Sequence, residues 1–128
     1  MATKFNVAPA LSVPFQTADA PPVVAASFDA TQYPLDAFWF EVKVLALYSD
    51  GSKAAAYWLA GLFRSSAAGA ITQVGSTASV ITAIEDTGSM DCVLAVSGTE
   101  IRVTVTGVAA TTINWVLDNT IRHAPFSK

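Results

Sequence analysis

Apolar positions recur at every second residue through much of this chain, most densely between Ala37 and Arg64. Phe38, Phe40, Val42, Val44, Ala46 and Tyr48 share one face, and Trp39, Glu41, Lys43, Leu45 and Leu47 the other. After Ser49-Asp50-Gly51-Ser52, the residues Ala54, Ala56, Trp58, Ala60 and Leu62 alternate with Tyr57, Leu59, Gly61 and Phe63. Period two with aromatic and β-branched residues predicts a β-hairpin, with Gly51 supplying the positive φ of its turn. Both faces are largely apolar, so the hairpin is expected to be covered on each side, by the rest of the chain or by another chain. Trp58 and Trp115 are expected in the core. Trp39 shares a face with Glu41 and Lys43, which makes it the candidate for an interface or ligand contact.

Further strands are predicted at Ala70–Val74, Ser79–Ile84, Cys92–Val96, Ile101–Thr106 and Ile113–Ile121. Turn residues separate them: Gly75, the cluster Glu85 to Ser89, Ser97-Gly98-Thr99 and Gly107. No window carries apolar residues at helical spacing with matching caps. The fold class expected is all-β, an antiparallel β-sandwich or small barrel.

Residues 1–36 read differently. Five of the six prolines lie there, and each removes a ladder donor. The segment is still rich in Phe5, Val7, Leu11, Val13, Phe15, Val23 and Val24, too apolar for a disordered tail. It is expected to be an extended arm pairing edge-on with the body or a neighbour, ahead of a β domain at 37–128. These seven residues, with Trp39, are the candidate interface.

Composition sharpens the picture. Only 13% of the 128 residues are charged while 52% are hydrophobic, against roughly 25% charged in an ordinary domain. Neighbouring subunits are therefore expected to bury part of the surface. A net charge of −3 with scattered Lys and Arg argues against nucleic acid. No apolar run approaches the roughly 18 residues of a membrane-spanning helix, and the first residues lack the apolar core of a secretory signal. The single cysteine, Cys92, sits in an apolar run as a buried thiol.

Candidate chemistry is sparse. His123 is the only histidine, no Gly-x-Ser-x-Gly marks a nucleophile, and a surface histidine at a strand end accounts for it. One His and one Cys make no zinc cluster, and Glu85, Asp86 and Asp91 read as solvated turn acids rather than calcium ligands. Walker and dinucleotide fingerprints are absent. Neither a cofactor nor a catalytic residue is expected. The aromatic residues are assigned to core and interface, with stacking on sugar rings as the alternative.

Trp58-Leu59-Ala60-Gly61-Leu62-Phe63-Arg64, Gln73-Val74-Gly75, Ser89-Met90-Asp91-Cys92, Ile101 to Gly107 and Thr112-Ile113-Asn114-Trp115 together carry a likeness over residues 38–123. They resemble a β-rich domain of tailed-bacteriophage virion proteins, tail or fibre proteins and capsid decoration proteins among them. Cys92 departs from the aromatic expected there. The resemblance implies a non-enzymatic structural protein of the virion. A capsid decoration or cement protein is the first expectation, since a short arm rather than a long shaft precedes the domain. The alternative is a tail-fibre or receptor-binding module recognising a host surface glycan. The implied partners are further copies of the chain, a trimer first among the arrangements, and phage capsid or tail proteins.

Overall fold

The computed structural model describes residues 11–124, with strands and no helix among them. The strands are β1 (Leu11–Thr17), β2 (Val23–Asp29), β3 (Ala37–Tyr48), β4 (Ala54–Ser65), β5 (Ile71–Ser79), β6 (Ile84–Glu85), β7 (Asp91–Ser97), β8 (Glu100–Thr106) and β9 (Ile113–His123). They form two antiparallel sheets. The larger runs β1-β9-β3-β4-β5, with β6 also on β4, and the smaller runs β2-β8-β7. The sheets stack as a sandwich, and neither closes into a barrel.

The central hairpin forms where the alternation predicts it. Val44 lies opposite Tyr57 and Phe38 opposite Phe63, and the turn closes with Gly51 at φ 78°. β9 lies on the other side of β3, with Val44 opposite Leu117 and Phe40 opposite Ile121. β1 and β2 both end up on sheet edges, the positions where a strand bearing Pro14, or one leaving Pro22, loses least.

The core fills the space between the sheets. Phe38, Phe40 and Val42 of β3 and Trp115 and Leu117 of β9 meet Ile101, Val103 and Val105 of β8, all essentially without solvent contact. Gly61 points into this layer. A Cβ there would stand 2.8 Å from Cε1 of the buried Phe63 ring, so the missing side chain is what admits that ring. Cys92 is buried and unpaired, and burial pushes its thiol up to about 12.

Three expectations change. Trp58 is not a core residue: the hairpin register sets it beside Lys43 on the outward face, leaving the inner positions to Tyr57, Leu59 and Phe63. Ser79–Ile84 is not one strand either. Leu59 pairs with Ser79 and Ala56 with Ile84, so four residues stand where β4 offers two partners. The excess chain leaves the ladder, and β6 rejoins it for two residues only. Gly75, expected at a strand end, instead lies within β5, next to a register shift, at φ 75°.

Candidate interaction face

The inner face of the larger sheet seals the core, and its outer face is bare. The registers arrange that outer face in rows across the strands. At one end Arg122, Trp39, Leu62 and Val74 lie side by side. Thr120, Glu41 and Ala60 form the next row, and Asp118, Lys43 and Trp58 the one after. Val116, Leu45, Ala56 and Ile84 follow, then Asn114, Leu47 and Ala54. Trp39, Leu45, Leu47, Leu62 and Ile84 are 40–63% exposed, a concentration of apolar surface on one face.

Polar groups in the middle of the face hold its aromatics in place. The Trp39 indole N–H donates to Glu41 Oε1 at 3.3 Å, and the Trp58 indole N–H donates to the other carboxylate oxygen of Glu41. Lys43 Nζ sits 4.5 Å from the centroid of the Trp58 ring, a cation–π contact. A groove of about 250 Å³ opens here between Trp58, Ile81 and Val116, floored by Lys43 and Leu45. A second hollow of about 200 Å³ lies over Ala54 and Ala56, bounded by Leu45, Ile84 and Asp86.

The other expected interface residues separate. Phe5 and Val7 lie outside the described residues, and Leu11 and Val13 are in β1. Phe15 packs within the chain, stacked on Trp115. Val23 and Val24 are exposed, at 43% and 48%, on the edge strand β2. Among the described side chains of the set, Trp39 belongs to the bare face. Leu45, Leu47, Leu62 and Ile84 lie on the same face without belonging to that set, although the apolar character of both hairpin faces is a signal for the first three.

A second corner gathers polar residues. His123 Nδ1 lies 2.9 Å from Oδ2 of the buried Asp36, whose Oδ1 accepts the Ala37 N–H. Tyr33 and Phe38 pack edge-on and tilted against the imidazole. Ser65 is close by, but its hydroxyl donates to Tyr33 O at 2.6 Å and accepts the Asp36 N–H at 3.0 Å. That serine is held by backbone groups, and the histidine is oriented toward the acid.

The turn acids are likewise committed one by one. Glu85 accepts the Tyr57 hydroxyl at 2.5 Å, Asp86 the Ala54 N–H and Asp91 the Cys92 N–H, each at 2.8 Å. No group of three or more His, Cys, Asp or Glu side chains converges on a metal position among the described residues.

No family model matches this chain, and no curated protein does. Among solved structures it is similar to the tailspike protein of Acinetobacter baumannii phage AM24, at 11% identity and a TM-score of 0.49, covering 95% of this chain and 27% of that one. It is also similar to the tailspike protein of Acinetobacter phage vB_ApiP_P1, at 17% identity and a TM-score of 0.32, covering 97% and 23%. The chain thus spans about a quarter of the length of each.

Proposed function

We propose that this chain is a structural β-sandwich domain of a tailed-phage virion, working as an assembled subunit without catalysis of its own. The bare outer face of the larger sheet carries the reading. A sandwich that stood alone would be expected to cover five strands with charge, and this one leaves Trp39, Leu45, Leu47 and Leu62 in water. The motifs shared with tailed-phage virion domains supply the setting. Within residues 1–36, β1 and β2 pair with the body, and Val23 and Val24 on the edge strand β2 are the described members available to a neighbour. One placement is on the capsid, as a decoration protein.

A second placement, in the tail as a glycan-recognising module, draws on one observation: Trp39 and Trp58 flank a carboxylate on an exposed face, a combination suited to a sugar ring. Quantitative mass spectrometry of separated heads and tails tests both. Hundreds of copies on heads support decoration, and a few copies on tails with glycan-array binding abolished by Trp39→Ala support the tail module. Absence from purified virions overturns the proposal.

A further inference from the structure

The bare face is complementary to itself. Consider a two-fold axis lying in the plane of the face and crossing the strands between the Glu41 and Lys43 rows. It turns the sheet over end for end and sets each strand above its own copy. Glu41 then meets Lys43 of the second copy, twice by symmetry. Trp39 comes over Leu45, Leu62 over the small Ala56, and Val74 over Ile84, from the registers alone. Beyond them Arg64, opposite Ala37 at the row next to Trp39, comes over Ala54, whose N–H is held by Asp86. Glu41 thus meets Lys43 and Arg64 comes near Asp86, while Arg122 and Asp118 come over the uncharged Val116 and Thr120, and a bulky end meets the hollow of about 200 Å³ over Ala54 and Ala56.

We propose that the chain pairs with a second copy of itself through this face, as a two-fold dimer of stacked sheets. The proposal rests on the assembled-subunit reading above and names its partner. Size agrees: five strands about 4.8 Å apart and about ten residues long at about 3.4 Å each make roughly 800 Å², what one partner supplies to a standard interface. Symmetry agrees as well. One patch that complements itself closes on a two-fold, whereas a three-fold ring needs two different patches. Aligned sheet stacking is the ordinary packing of two twisted sheets.

Sedimentation equilibrium of the 128-residue chain at micromolar concentration tests this. The expected species has twice the 13.4 kDa chain mass. Arg64→Asp and Asp86→Arg should each weaken the dimer about tenfold, and the double exchange should return it to within about threefold of the parent. Leu62→Arg, at an exposed position, should give a folded monomer by circular dichroism. A stable monomer of the parent, a three-chain mass, or a double exchange no tighter than the singles overturns the dimer. A dimer that is absent from purified virions instead overturns the virion reading and leaves the pairing standing.

Discussion

The ring of Phe15 lies almost parallel to that of Trp115, centroids 6.1 Å apart and planes 9° from parallel. The Trp115 indole N–H donates to Thr17 Oγ1 at 2.9 Å, in a buried position. The first described strand is therefore locked to the last through one tryptophan. Thr17→Val removes the acceptor and leaves a buried indole N–H unpaired, which should cost about 1–3 kcal/mol. Phe15→Ala, at a half-buried site, should cost about 2 kcal/mol. Urea unfolding followed by Trp fluorescence reads both, and an unchanged midpoint in either variant would remove this lock.

Gly61 should not tolerate a methyl group. Its added Cβ would meet the Phe63 ring at 2.8 Å, and that ring is fully enclosed. Gly61→Ala should destabilise by about 1–3 kcal/mol through overpacking, despite the usual gain of replacing glycine in a strand. The double variant Gly61→Ala with Phe63→Leu should recover part of the loss, because the smaller side chain vacates the clash.

Stability should fall in alkali. Burial pushes the Cys92 thiol up to about 12, and burial together with the hydrogen bond to Glu85 raises the Tyr57 hydroxyl above its ordinary range. Between the unfolded and folded pKa values the folded chain keeps protons that the unfolded chain has lost. Stability is therefore whole below about pH 8.5–9 and declines as pH rises towards the folded values. Each such group contributes a slope of about 1.4 kcal/mol per pH unit inside its window. Cys92→Ala should flatten the decline between about pH 9 and 12, measured by urea midpoints across that range. A slope unaltered by the substitution would exclude the thiol as its source.

Glu41 serves two indoles at once. In the monomer that Leu62→Arg should give, Glu41→Ala should free both N–H groups to water and loosen Trp58, at a cost of about 1 kcal/mol because the site there is only partly buried. The clearer signature is spectroscopic: a red-shifted emission from Trp39 and Trp58, with Trp115 unchanged in its core. Glu41→Gln, which keeps one acceptor oxygen, should show about half the shift.

Much of this molecule is legible in its alternation. Period two is a local property, written residue by residue, and it marks β3, β4, β8 and β9 and the inner face of β3 without knowledge of neighbours. The hairpin turn is local too, since Asp50-Gly51 chemistry depends on a few adjacent residues. Which face of β4 points inward is not local when both faces are apolar. The four-residue turn pairs Val44 with Tyr57, and that parity sends Trp58 outward to Lys43. The same holds for the break between β5 and β6, where a count of partners on β4 decides that Val80–Ala83 leaves the ladder. Asp36 and His123 meet across 87 residues because β9 happens to lie against β3. Alternation determines that strands exist and which residues share a face. The order of strands in a sheet, and so the row-by-row complementarity of its outer face, arises only when distant segments compete for the same edges and one arrangement buries the most.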